Sequence, residues 1–240
     1  MSERPFTPIL LDLLRYARLA QDAFTQALTS SERDAIGSPG CWSAKDHIAH
    51  LTFWRQQLLL KVRAILRHET PAGMDDFERL NLAVFASHRQ RPWSEVLAES
   101  DQAYTELSAL TGQLGDDALT DFGRFDWIPG GRPLYTVFMG YCYEHAQQHL
   151  AQYYLDRRDF PQALGVYEAW AKRVIQDETP SALKGSVLYN LACFYATHDE
   201  LDSAGTSVRQ ALALYPSLME FARDDPDLIA LRSSQPELFS

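Results

Sequence analysis

The chain is short of cysteine, of long apolar runs and of positive charge, and each shortage removes a class of protein. Its three cysteines, Cys41, Cys142 and Cys193, are odd in number and form no CxxC. That excludes a disulfide framework and fits a reducing compartment, so a cytoplasmic protein is expected. No stretch approaches the roughly 18 to 20 apolar residues that a membrane helix needs. The opening MSERPFTPILLDLLRYARLAQ becomes amphipathic rather than uniformly apolar, so no secretory leader is expected. The chain carries 22 basic and 32 acidic residues, a formal net charge of -10. Up to Arg157 there are 15 basic and 20 acidic residues, and beyond it 7 and 12, so each part carries -5. A phosphate backbone would be repelled, which disfavours nucleic acid as a partner. Alternation of apolar and polar residues with period two is absent too, which argues against strands.

What remains is helix. Apolar residues make up 46% of the chain and charged ones 22%, ordinary for a globular protein. The expected fold class is all-α. A first helix runs from about Pro8 to Thr29, with Leu10, Leu14, Ala17, Phe24 and Leu28 on one stripe. After the breaker segment SSERDAIGSPG a second helix starts at Ser43, whose hydroxyl can cap the free amides, with Asp46 as the acid of a capping box. It fades near His68 into the loop HETPAGMDD. A third helical region covers Phe77 to about Leu114, interrupted at Pro92. The polar connection that follows ends in FDWIPGGRP, where Gly130 and Gly131 permit a sharp turn. A fourth helix runs from about Pro133 to Asp156. Four such helices suggest an antiparallel four-helix bundle over residues 1–157.

Residues 158–240 read differently. In KGSVLYNLACFYATHDELDSAGTSVRQALALYP, Leu188, Leu191, Ala192 and Tyr195, then Ala204, Val208, Ala211 and Pro216, recur at tetratricopeptide spacing. Small residues belong where two helices cross closely. A weaker copy, from Leu150, Ala151 and Tyr154 to Ala163, Tyr167 and Trp170, would make the fourth helix part of both regions. C-terminal tetratricopeptide-like helical hairpins are therefore expected, ending in short capping helices.

Histidine carries the chemistry. His145 and His149 stand four apart in GYCYEHAQQHLAQYY and project from one helix face. Both fall on the stripe of Leu134, Phe138 and Cys142, so both face inward. Two neutral imidazoles buried together need partners for their nitrogens, and a cation satisfies both. A third histidine from a facing helix would leave a coordination position open, the arrangement of a catalytic zinc or nickel centre. His50, in CWSAKDHIAHLTFW, is the candidate; His47, one turn away, is the rival, expected at the surface or behind the ligands. Asp46 either caps its helix or orients His50. Cys142 is a small buried residue or a neighbour of the metal. Trp54 and Tyr141 either fill the core or line a pocket, with Tyr141 a candidate proton donor. Glu144 turns about 100° away from His145 and is expected in solvent. His68, His88 and His198 have loop or helix-end contexts and no role.

WSAKDHIAHLTFW resembles the second-helix signature of the DinB/YfiT-like four-helix bundles, and EHAQQH resembles their fourth-helix signature. The resemblance covers roughly residues 6 to 157. The ClbS/DfsB self-protection branch is similar in the same motifs. In the metal-binding branches the resemblance implies His50, His145 and His149 as ligands of a divalent metal, a small-molecule substrate, and hydrolysis or thiol transfer to an electrophile; it also implies a homodimer. Two departures stand out: Leu150, Ala151 and Gln152 follow the late pair where an Arg-Gly-Gln is common, and Arg55 follows Trp54 where an acid is common. A different class stays open beside the enzyme: a scaffold that binds a protein partner through its C-terminal helices. Self-protection against a reactive natural product is a third.

Overall fold

The computed structural model describes residues 5–73 and 77–239. The last three residues of the expected loop HETPAGMDD, Met74 to Asp76, lie outside the described residues. Among those described, the chain is all helix and turn, with one isolated bridge between Ser38 and Cys41. No helix is long and apolar enough to cross a membrane. The chain divides into two compact units, residues 1–163 and 164–240.

In the first unit, α1 (Phe6–Ala27) buries Ile9, Leu10, Leu13, Leu14, Ala17 and Phe24 on one stripe, as the spacing requires. Its first amides are held by Asp116: Phe6 N–H and Thr7 N–H each donate to that carboxylate at 2.8 Å. The breaker segment folds one more turn, α2 (Ser30–Asp34), on a full capping box between Thr29 and Glu32. The Thr-x-x-Glu signature was in the sequence, and its fold into a helix was not anticipated.

Next comes α3 (Ala44–Leu66), which packs against α4 (Phe77–His88) and α5 (Trp93–Thr111). It is buried on nearly every side, so Lys45, Asp46, His47, His50, Thr52 and Arg55 are all in the interior beside Ile48, Leu51 and Leu58. Only a narrow strip around Gln56, Leu60 and Arg63 reaches solvent, and charged residues share the buried sides, which explains its weak amphipathic pattern. Pro92 stands just outside α5, in extended conformation, and ends the interruption after α4.

The polar connection contains α6 (Asp116–Thr120) and a 3₁₀ turn at Pro129–Gly131. Gly130 and Gly131 have φ of 69° and 60°, the left-handed region that only glycine enters freely. The fourth long segment differs from the continuous helix expected. It begins at α7 (Tyr135–Phe138), widens into a π turn at Met139–Tyr143, and continues as α8 (Glu144–Leu155). Across the π turn the Glu144 amide bonds back to the Met139 carbonyl.

Past α8, α9 (Phe160–Gln176) straddles the border between the units. In the second unit α10 (Ser181–Ala196) and α11 (Leu201–Leu214) pack along their length. Ala192, Ala204, Val208 and Ala211 have no exposed surface there. At Gly185 a Cβ would stand 2.6 Å from the Tyr215 Cβ, closer than any side chain tolerates. Two short helices, α12 (Met219–Ala222) and α13 (Ile229–Ser234), and the 3₁₀ turn Pro226–Leu228 between them close the core through Ala222, Leu231 and Leu228.

Candidate metal centre

The position of α3's first turn is set by its cap. Ser43 adopts extended backbone, its hydroxyl accepts from the Asp46 amide at 3.3 Å, and Asp46 Oδ2 accepts from Ser43 N–H at 2.8 Å. Asp46 is therefore the acid of the capping box. Its other oxygen, Oδ1, is buried without a partner, and so is Nδ1 of His50, so no bond joins the two residues. One and two turns in, His47 and His50 are 1% and 4% exposed. Trp42, just ahead of the cap, lies flat on His149 with ring centres 5.5 Å apart and touches His47 and His50 with its other sides.

On the facing segment, the π turn precedes the two histidines. The His145 ring donates a hydrogen bond to the Tyr141 carbonyl inside that turn. Irregular turns of this kind recur at functional sites because they re-aim the side chains that follow. Gly140, in the middle of the turn, was the one local sign of irregularity in an otherwise helical pattern.

The three rings meet. Nε2 of His145 lies 3.0 Å from Nε2 of His50 and 3.0 Å from Nε2 of His149. Ligand atoms of His50, His145 and His149 all fall within 4.8 Å of one another, a group that could hold a metal ion. Behind them, Nδ1 of His47 and Nδ1 of His149 are 2.9 Å apart. A neutral imidazole has one N–H and one bare nitrogen. With the proton drawn to the Tyr141 carbonyl on Nδ1, Nε2 of His145 is bare. One lone pair cannot be shared fully by two ring neighbours, whereas a cation among three bare Nε2 atoms would engage all of them. For His149 the same tautomer places Nδ1–H against a bare Nδ1 of His47. Two of the three rings thus have a partner that holds them ready for a cation.

Electrostatics agree. Burial and the charge of Arg157 push His47 down to about 3; burial, then His145 and His47, push His50 to about 3; burial, then Arg55, push His145 to about 4. His149 is lowered as well, first by burial and then by the other histidines and Arg55. At neutral pH all four are uncharged, the state a metal ligand needs.

A family model described as the DinB superfamily matches residues 13–153. The chain belongs to the DinB superfamily. No curated protein and no solved structure gave a match.

In this DinB-superfamily domain a pocket of about 260 Å³ opens over the histidines, lined by His50, Trp54, Phe77, Asn81, Gly140, Tyr141 and His145. Trp54 and Tyr141 thus both reach it. Cys142 does not: it is fully buried, outside the ligand group and the pocket lining, and burial raises its thiol to about 12. Of the two places expected for His47, at the surface or behind the ligands, its interior position leaves the second. Glu144 corrects an expectation: it is half-buried rather than solvated, and burial raises its carboxyl to about 7 against the opposing charge of Arg132. A larger cavity of about 610 Å³, lined by Ile65, Phe125 and Trp127 among others, sits at the C-terminal end of α3. Fifteen residues of helix, roughly 22 Å, separate Ile65 from His50, so that cavity is not the histidine site.

Sequence reasoning missed the role of Arg55. It is fully buried, next to Trp54 and about 100° around the helix from it, donates to Gln21 Oε1 at 2.8 Å and to Ser100 Oγ at 3.4 Å, and lies 4.0 Å from the Tyr104 ring. Its Nε has no partner, and among the described residues no carboxylate pairs with it. An arginine where an acid is common was the available signal; that it points into the core was not.

Proposed function

We propose that this DinB-superfamily domain is a divalent-metal-dependent enzyme that hydrolyses a small electrophilic molecule or transfers a thiol to it. The observation that carries the reading is the meeting of three neutral imidazoles, His50 buried and His145 and His149 half-buried, through the same ring atom. His50, His145 and His149 would hold the metal. The donor set of three neutral nitrogens suits zinc or nickel. When bound, such a cation supplies a Lewis acid that polarises an oxygen of the substrate or lowers the pKa of a nucleophile.

The chain's own residues do the rest. His47 takes the Nδ1 proton of His149 as a hydrogen bond and keeps that ring's other nitrogen turned to the site. The Tyr141 carbonyl does the same for His145. Trp54, Phe77 and Tyr141 exclude water from one side of the pocket. Burial raises the Tyr141 phenol above its ordinary range, so it stays protonated and serves as the proton donor within reach of a bound substrate. The converging histidines favour the metal-binding branches of the superfamily over the ClbS/DfsB self-protection branch.

Elemental analysis of the untagged full chain tests this reading, followed by the same measurement on His145→Ala. We expect close to one zinc or nickel per chain, lost in the variant. Metal content that the substitution leaves unchanged would refute the ligand assignment.

A second reading draws on the other unit. The close crossing of α10 and α11, with small residues at the contact and Gly185 against Tyr215, supports a tetratricopeptide-like hairpin that binds an extended peptide. It adds a partner-binding function to the chain and leaves the metal reading intact.

A further inference from the structure

The pocket over the histidines has a composition that limits what can enter it. Five of its seven lining residues carry rings: His50, Trp54, Phe77, Tyr141 and His145. Its lining has no Asp, Glu, Lys or Arg. In the metal-free chain a charged ligand would lose its hydration there without gaining a counter-charge from the protein. Trp54 and Phe77 stack with centres 5.4 Å apart and planes 19° from parallel, and Tyr141 stands edge-on to Trp54 at 5.7 Å. These rings present flat faces and polarised edges, which favour another aromatic ring over an aliphatic group of equal size.

One polar group is set among them. Trp54 Nε1–H donates to the Asn81 carboxamide at 3.1 Å. Indole nitrogen is only a donor, so the atom it meets must be the amide oxygen. Asn81 lines the pocket with its oxygen held by Trp54, so its NH₂ group is the part left to bond a ligand. That group donates, so it selects an acceptor. Volume adds a further limit. At about 260 Å³ the pocket is smaller than the roughly 300 Å³ at which drug-sized sites begin. A single ring with a short substituent fills it.

We infer that the pocket takes an uncharged, single-ring aromatic compound bearing a carbonyl, with the ring among Trp54, Phe77 and Tyr141 and the carbonyl oxygen accepting from Asn81. This rests on the reading that the pocket is the reactive site and adds the substrate class to it.

Two ketones of the same shape separate the possibilities: acetophenone and cyclohexyl methyl ketone, which share the carbonyl and differ in the aromaticity of the ring. Each is titrated into the full chain, metal-free and zinc-loaded, while the Trp54 indole N–H resonance is followed by NMR. Acetophenone should shift that resonance to saturation and bind about fivefold more tightly than its saturated analogue, a ratio set by ring–ring contacts. Phe77→Ala, at a residue 53% exposed and so outside the core, should remove most of that preference. In the metal-free chain benzoate should bind more weakly than acetophenone. Equal binding of the two ketones, no binding of either, an intact preference in Phe77→Ala, or benzoate matching acetophenone would each overturn the inference. The outcomes separate it from the metal reading. A chain that fails to take up zinc yet prefers acetophenone sinks only the metal; a chain that takes up zinc and shows no preference sinks only the aromatic carbonyl.

Discussion

Nδ1 of His47 and Nδ1 of His149 lie 2.9 Å apart, one ring on α3 and the other on α8. Only one of the two nitrogens can carry the proton. With the proton on His149, its Nε2 is free to coordinate, and His47 acts by holding that tautomer.

His47→Leu should therefore weaken zinc binding by roughly 10- to 100-fold, as loss of a group behind a metal ligand does. His47→Gln, whose amide oxygen can accept the same proton, should recover part of the loss. Competition against a chromophoric chelator measures both. Equal affinity in the wild type and the leucine variant would show that His47 only packs.

Acid should destabilise the metal-free chain. His47 and His50 titrate near 3 and His145 near 4 when folded, and all near 6.5 when unfolded. Stability held above pH 6.5 is lost as pH falls, because the unfolded chain takes up protons that the folded one refuses, at up to about 1.4 kcal/mol per histidine per pH unit. The loss slows below about pH 4, where His145 protonates in the folded chain, and levels off below about pH 3. Glu144, raised to about 7, works in the opposite sense and is best removed by Glu144→Gln. Urea midpoints of that variant between pH 7.5 and 4.5 give the slope; a flat profile would mean the imidazoles are not buried neutral.

Arg55 opposes positive charge at the centre, since it lowers both His145 and His149. Arg55→Met removes that charge and leaves Gln21 Nε2 bonded to Ser100 Oγ at 3.0 Å. Zinc affinity should rise, and stability should fall by no more than about 1–3 kcal/mol, because removal of an unpaired buried ion is opposed by loss of the donor to the buried Gln21 Oε1. A fall in zinc affinity, with the helical circular dichroism unchanged, would contradict the sign.

The cysteines should separate under a thiol reagent. Cys41 is exposed, Cys142 is fully buried with its thiol at about 12, and Cys193 is half-buried and also raised. Mass spectrometry of briefly alkylated native protein should find label on Cys41 first and on Cys142 only after denaturation. Early label on Cys142 would show that the core around the π turn opens.

Much of the architecture was legible because it rests on local rules. The stripe from Leu10 to Phe24, the Ser43–Asp46 capping box, the break at Pro92 and the glycine turn at Gly130 and Gly131 all follow from spacing or backbone chemistry. The Thr29–Glu32 box belonged to the same class and was passed over among breaker residues. The π turn left almost no trace, since its five residues fit an ordinary helical pattern and differ only in which carbonyl the Glu144 amide meets. Glu144 was misjudged, and the burial of Arg55 was not foreseen, for a related reason. Charge suggests solvent, and α3 and α8 are packed so closely that a charged residue on either can face the interior.

By itself the sequence determined that the chain is helical, where its caps and breaks fall, and that His145 and His149 share a face, because each depends on residues a turn or less apart. Tertiary structure alone decided that His50 completes the group, that His47 backs His149, and that Trp54, Phe77 and Asn81 converge over them. Those relations join residues tens of positions apart, and only the packing of α3, α4 and α8 brings their side chains within bonding distance.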